Sequence, residues 1–403
     1  MHIDGDAFFV AVEVSKNPKL KGLPVVTGEE RGIVSALSYE AKALGLVRGT
    51  PIFRVKRDFP KVIILPGDYK SYVRYSGLMF NIVRHYADDV EEYSIDECFA
   101  DLSGLDKPLK MTYRQIAERI KREVNEELDL SVSVGVAPTK VLAKVASKWQ
   151  KPNGLTIIET ERIGDFLRAT PIGKIWGIGR QTTTFLLKRG VETAQDFVEK
   201  DFDWVKYHLS KPYQVIWSEL RGQSVIRVNP EPKTVYHSIQ KTRTFYPPTN
   251  NKAFLFSQLS KHIEEACIKA RHFKLVPKKI SFFLKTQSFR YVNYSADLFS
   301  PTNSPEVMVG LAARALEKMH VTGTLYRTTG VTLYELVPES VAQNDLFGHS
   351  KMINKFEAVH RRIDLLERKF GRAIVHLGST HQALIRKVKG TDSDDLDRDL
   401  LFL

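Results

Sequence analysis

The sequence predicts an α+β chain of several domains, one of them built on a split βαβ, or ferredoxin-like, unit. Three observations carry this. At 403 residues the chain is too long for one small core and divides naturally into two to four domains. Apolar periods of two and of about 3.6 residues alternate in the order β-α-β-β-α-β once residues 12–68 are set aside. The composition, 43% hydrophobic and 27% charged, is that of an ordinary globular protein, yet the net charge is +13. A folded chain this basic meets a polyanion.

The elements follow in order. MHID ends a short first strand, and DAFFVAVEVSKNP begins a helix. So brief a strand predicts a weak sheet position for Asp4 and a natural start a few residues upstream. PVVT (24–27) and GIVSAL (32–37) read as strands, and SYEAKALG as a helix capped by Ser38 and stopped by Gly45. KVIILP is a further strand; residues 69–86 carry Tyr72, Met79, Ile82, Val83 and Tyr86 at helical spacing. EEYSIDECFADL reads as two strands bent at Asp96 and Glu97. TYRQIAERIKREVNEEL puts Ile116, Ile120, Val124 and Leu128 on one helix face, and LSVSVGVA alternates strictly.

An acidic pair inside an apolar run is most simply a solvated hairpin turn. Topology supplies another meaning. A strand, a crossover helix and a second strand of one sheet run parallel, so their C-terminal ends share an edge. Asp4 ends the first strand and Asp96 and Glu97 lie where the second turns, so three carboxylates converge. Like charges packed together repel unless a cation neutralises them. Three carboxylates together make a hard, all-oxygen site suited to Mg²⁺. Cys98 and Cys267 have no metal-ligand spacing and predict a reducing, cytoplasmic setting. No apolar run is long enough to span a membrane.

HIDGDAFFVAVE, VSALSYEAKALG, YSIDECFADL, VGVAPTKVLAKVASKWQKPNG and IWGIGR occur in this order. Together they resemble a Y-family translesion DNA polymerase of the DinB/UmuC group, over roughly residues 2–347. The resemblance implies a right-hand architecture. Residues 1–11 and 69–159 would form a split-βαβ palm, 12–68 small fingers, and 160–228 a helix-hairpin-helix thumb. Residues 233–338 would form an α+β little finger, and 339–403 a tail with a clamp-binding motif. Phe8-Phe9 and Tyr39 are similar to DinB members, whereas EAKALG, WGIGR and the long tail are similar to UmuC members, so polymerase IV-like and V-like subtypes both stand.

It further implies that Asp4, Asp96 and Glu97, with the Gly5 carbonyl, hold two Mg²⁺ for transfer of dNMP from a dNTP to a primer 3′-hydroxyl. Phe9 would be the ring that excludes a 2′-hydroxyl, with Phe8 beside it. Tyr39, Lys42 and Lys151 would contact the triphosphate. Lys42 stands where DinB members often carry arginine, and a lysine lacks the bidentate fork. Asp6 is expected to be a local hydrogen-bonding residue rather than a ligand. Gly177, Gly179 and Arg180 would meet the duplex backbone through main-chain N–H groups.

Residues 233–300 hold twelve Lys and Arg against three acids, and Lys241, Arg243, Lys285 and Arg290 are expected on one phosphate-tracking surface. Gln343, Leu346 and Phe347 match the peptide that bacterial translesion polymerases insert into the sliding clamp. A UmuD-like subunit and a recombinase filament are further partners of such enzymes, beside primer–template DNA. The stretch TDSDDLDRDLLFL is acidic and reads as disordered. Two other classes remain open on the residues alone: a catalytically inactive, clamp-tethered DNA-binding protein, and a nucleotidyl cyclase. The basic second half argues against the cyclase.

Overall fold

A computed structural model describes residues 1–231, 236–341, 349–370 and 374–385. The chain forms two compact units, Met1–Pro232 and Lys233–Leu403.

The first unit opens with β1 (His2–Gly5) and α1 (Phe8–Lys16). A small three-stranded layer follows, made of β2 (Val25–Thr27), β3 (Ala36–Leu37) and β4 (Ile63–Leu65) in the order β3-β2-β4. Between its strands lie α2 (Tyr39–Ala43) and α3 (Ile52–Asp58). Val26, Val34, Leu37, Ala41, Ile52 and Val55 give this layer its own core. The sequence reading missed α3, whose buried face is only Ile52 and Val55.

The first unit continues with α4 (Tyr69–Arg84), β5 (Val90–Glu92), β6 (Glu97–Ala100), the short α5 (Asp106–Leu109) and α6 (Tyr113–Leu128). It ends with β7 (Val132–Val136), α7 (Lys140–Trp149) and β8 (Leu155–Ile157). The sheet order is β5-β6-β1-β7-β8. β1 pairs antiparallel with both β6 and β7, and β5 antiparallel with β6, so β5 runs in the direction of β1 as predicted. One sheet face, with Ile3, Cys98, Val132 and Val134, packs under α4 and α6 through Met79, Ile82, Ile116 and Ile120. The other carries His2, Asp4, Glu97 and Ser133 and is partly covered by α7. Short as it is, β1 is the central strand and is hydrogen-bonded along both edges, so the weak position expected for Asp4 is not found.

α8 (Ile163–Ala169), α9 (Arg180–Leu187), α10 (Ala194–Glu199), α11 (Phe202–His208) and α12 (Lys211–Leu220) complete the unit. They share their core with α7, through Val141, Leu142, Val145 and Ala146. Buried Glu219 of α12 accepts from Val141 N at 3.3 Å and from Val225 N and Ile226 N at 2.6 and 2.7 Å. On its other side α7 lies so close to the sheet that a Cβ at Gly135 would come 2.1 Å from Ala143 O. α7 therefore packs on the sheet on one side and on the helical layer on the other.

The second unit is an antiparallel sheet of β9 (Ser238–Thr249), β10 (Leu275–Thr286), β11 (Tyr291–Asp297) and β12 (Tyr326–Pro338), in the order β11-β10-β12-β9. α13 (Lys252–His272) and α14 (Pro305–Met319) cover one face. Period-two alternation from Ile239 to Phe245 turns Lys241 and Arg243 to that same covered face, where Lys241 is buried. Lys285 alternates with inward Phe282 and Leu284 and faces out, and Arg290 is exposed at the β10–β11 turn. The single basic surface expected from the sequence is thus split between two faces.

α15 (His349–Phe370) and α16 (His381–Ile385) fold back on this unit. Arg271 donates a two-pronged pair of bonds to Asp364, each 2.7 Å. His360 meets Glu306 at 2.7 Å, Glu264 accepts from Leu377 N at 2.6 Å, and Ala383 N donates to Ser257 Oγ at 2.8 Å. Much of what the sequence presents as a tail is therefore part of the domain. Gln343, Leu346 and Phe347 lie outside the described residues, as does the acidic end.

Candidate active site

The β1–β6 register sets Asp4 directly opposite Glu97. Two carboxylates facing each other across an antiparallel pair destabilise the sheet unless something offsets them. Asp96 sits in the turn just before β6. Its carbonyl accepts from Gly5 N at 2.7 Å, and its carboxylate accepts from Ser94 Oγ at 2.5 Å. Tyr93 N and Ser94 N both donate to Glu97 O, closing the turn. Gly5 is required here, since a Cβ would lie 2.9 Å from the Phe8 ring and 3.4 Å from Asp96 O. The three acids of the sequence reading share one edge.

Each carboxylate has its own partners. Lys151 Nζ lies 2.5 Å from Asp4 and 3.5 Å from Asp6. Burial nonetheless pushes the Asp4 carboxyl above its ordinary value, against the pull of Lys151. Glu97 accepts from His2 Nε2 at 3.1 Å and pairs with Lys144 Nζ at 2.9 Å. Burial alone would raise Glu97, but the His2 bond and the Lys144 ammonium outweigh it and hold the carboxyl at about 2. His2 is fully buried and reaches Ser147 Oγ through Nδ1 at 2.7 Å.

Asp6 is a hub, as its expected hydrogen-bonding role requires. It accepts from Ser133 Oγ at 2.8 Å, from Asn153 N at 2.7 Å and from Tyr39 OH at 3.4 Å. It thereby ties the Lys151 loop and the small layer to β1. Ser38 caps α2 by accepting from Ala41 N. That places Lys42 Nζ 4.0 Å over the Tyr39 ring, where burial first and the Lys151 ammonium second lower the Lys42 pKa. Tyr39, Lys42 and Lys151 thus gather beside the acids. Phe9 stacks on Tyr72 at 4.3 Å with an 11° tilt and stays half-buried. The Phe8 ring is 3% exposed in the palm core, so its place is packing rather than nucleotide contact.

Oxygen-only donors and like charges in register, with Asp4 raised by burial despite Lys151, fit a hard divalent cation. Among the described residues no group of three or more His, Cys, Asp or Glu side chains is drawn tightly enough to hold one. Lysines and His2 hold the carboxylates instead.

In the helical layer, Gly177 adopts φ +88° and a Cβ there would meet Ile216 Cδ1 at 2.6 Å. Gly179 is the cap residue of α9 and Arg180 its first residue, all three exposed while Ile175 and Ile178 anchor the turn. The sequence reading did not single out His2, Lys144, Ser147 or Trp176. Their signal was present: His2 shares the face of Asp4 by alternation, and Lys140, Lys144, Lys148 and Lys151 form a stripe at helical spacing.

Residues 3–148 match the family model described as the impB/mucB/samB family, and residues 236–346 that of the same family's C-terminal domain. DNA polymerase IV 1 of Bacillus subtilis (strain 168) is 29% identical over 396 residues, covering 97% of this chain and 95% of that protein. DNA polymerase IV of Desulfatibacillum aliphaticivorans is 30% identical over 380 residues, covering 93% and 95%. Among solved structures, the Y-family DNA polymerase chimera Dbh-Dpo4(243-245)-Dbh aligns with TM-score 0.71 at 26% identity, over 84% of this chain and 98% of its own. An insertion ternary complex of Dbh DNA polymerase aligns with TM-score 0.54 over the same shares.

The chain belongs to the impB/mucB/samB family, that of the Y-family DNA polymerases. Within it the chain is of the DinB type, a DNA-directed DNA polymerase, which decides between the two subtypes left open by its motifs. Divalent-metal dependence comes with that membership. Among the described residues no helix is long and apolar enough to cross a membrane.

Proposed function

We propose that this polymerase performs template-directed, low-fidelity translesion synthesis at the β1–β6 edge, using two Mg²⁺ held by Asp4, Asp96, Glu97 and the Gly5 carbonyl. The observation that carries the assignment is the in-register Asp4–Glu97 pair, with Asp96 tied to Gly5 beside it. When bound, such ions lower the pKa of the primer hydroxyl and neutralise charge on the leaving pyrophosphate. The rest falls to the chain's own side chains, because phosphoryl transfer asks chiefly for positioning and charge neutralisation.

Lys151 and Lys42 present point charges to the triphosphate. Asp6 holds the Lys151 loop and the Tyr39 hydroxyl in place, so both groups stay aimed at one spot. Phe9, clamped against Tyr72, cannot turn aside for a 2′-hydroxyl, which selects deoxynucleotides. The small three-stranded layer has a single core of its own and leaves little protein to enclose a nascent base pair. Tolerance of damaged templates follows from that economy. Primer–template DNA and dNTPs are the substrates; Gly177, Gly179, Arg180 and Lys285 are proposed to touch duplex phosphates.

Primer extension on an undamaged template with Mg²⁺, dNTPs and rNTPs tests the reading. Wild type should add dNMPs as the template directs, and Asp96→Ala/Glu97→Ala should not; equal extension by both would remove the acids from the mechanism. Deleting residues 343–347 should leave distributive synthesis intact and abolish stimulation by a sliding clamp.

A further inference from the structure

We infer that Trp176 is a positioning residue that couples the helical layer's grip on DNA to the catalytic carboxylate Glu97, acting through Lys144. The inference rests on the polymerase reading of the site. Trp176 immediately precedes Gly177, the positive-φ residue of the hairpin proposed to meet the duplex. Its side chain points away from that hairpin's exposed edge, toward the sheet. Nε1 donates to Tyr93 OH at 2.9 Å, and the indole lies 5.2 Å from the Tyr93 ring and 5.6 Å from Phe99.

These three rings close over one ammonium. Lys144 Nζ stands 4.2 Å from the Tyr93 ring, 5.1 Å from Trp176 and 5.9 Å from Phe99. Aromatic faces attract a desolvated cation but leave it one direction in which to meet an anion. That direction holds Glu97, at 2.9 Å, and Lys144 is only 5% exposed. Tyr93 closes the loop, because its N–H donates to Glu97 O and it opens the turn that carries Asp96. A shift of the indole when the hairpin takes up a phosphate therefore moves both the ammonium that sets Glu97 and the turn that sets Asp96. α7, which carries Lys144, is rooted in the helical layer's own core, so the coupling has a stiff support.

Trp176→Ala, Trp176→Phe and Lys144→Met test this, each measured for primer–template affinity, single-turnover incorporation at saturating DNA, and thermal stability. Trp176→Ala should slow incorporation roughly tenfold at saturating DNA while affinity changes by less than about threefold. Trp176→Phe, which keeps a ring and loses the N–H, should fall between. Combined with Lys144→Met, neither should add its full effect, since the two act in one chain. In a variant with Trp149, Trp204 and Trp217 changed to Phe, Trp176 fluorescence should shift on adding primer–template. Weakened affinity with an unchanged saturated rate, full additivity with Lys144→Met, or fluorescence blind to DNA would each overturn the coupling. If Trp176→Ala does not fold, the Trp176→Phe and Lys144→Met pair decides alone. A wild type that extends no primer would fail the polymerase reading instead, and the fluorescence arm would still report on the link.

Discussion

The two units each set a glutamate beside a histidine and a lysine, half-buried in the first and buried in the second, and the contrast between them is instructive. In the palm, Glu97 meets His2 at 3.1 Å and Lys144 at 2.9 Å. In the second unit, Glu265 lies 3.7 Å from both His262 and Lys261. Burial works against ionisation at both, and the neighbouring histidine together with the lysine ammonium outweighs it, holding each carboxyl at about 2. Yet Glu97 stands at an open edge opposite a second carboxylate, whereas Glu265 is sealed between α13 and the sheet, where neither its Oε1 nor His262 Nδ1 has a hydrogen bond among the described residues. A depressed carboxyl is therefore no mark of a catalytic centre. The mark is a second like charge in register, which keeps demand for a cation alive.

The comparison breaks most easily at the acids themselves. Asp96→Ala/Glu97→Ala should reduce incorporation by ~10³-fold or more, while Glu265→Gln should leave the rate per folded molecule unchanged; a comparable loss from both would erase the distinction. Phe9→Ala should relax discrimination against rNTPs by about 10²-fold, read from paired dNTP and rNTP incorporation rates. The outward cations come next. Lys285→Ala or Arg290→Ala should each lower the slope of log affinity against log salt by about 1, and Lys241→Met, on the covered face, should leave that slope alone. The smallest effect concerns acid. Because the Glu265 carboxyl titrates at about 2 instead of 4.5, the stability it contributes is complete above about pH 4.5 and is lost as pH falls toward 2. Thermal melts of Glu265→Gln should be flatter than wild type across that window.

What was legible in the sequence was whatever a short local pattern or a topological rule controls. The hairpin acids broke an apolar run, and the parallel placement of β5 and β1 brought Asp4 to them without any contact being known. Tyr39, Lys42 and Lys151 were found through motifs and do gather beside the acids. Positions set by which face of a strand is covered were harder. Lys241 and Arg243 looked like surface cations because a basic stretch is usually solvated, but Ile239 and Phe245 at the same parity turn that face inward. The lysine stripe that includes Lys144 was visible at helical spacing, but its pairing with Glu97 and with Trp176 was not, because those partners are contributed by elements far apart in the chain. The joining of α7 to the helical layer was hidden for the same reason: one helix with two apolar faces reads locally like any other amphipathic segment.

Arg271 has a consequence for how short this protein can be made. Its guanidinium is almost wholly buried and donates a fork of hydrogen bonds to Asp364, ninety-three positions later. A chain cut after β12 would take the carboxylate from Arg271, leaving it its bond to Asn303 O at 3.2 Å, and would uncover the Glu264 carboxylate that now accepts from Leu377 and Thr380. The smallest autonomous form of the second unit therefore extends at least through α16. Shortened forms that end at the last strand are expected to aggregate rather than behave as a trimmed domain.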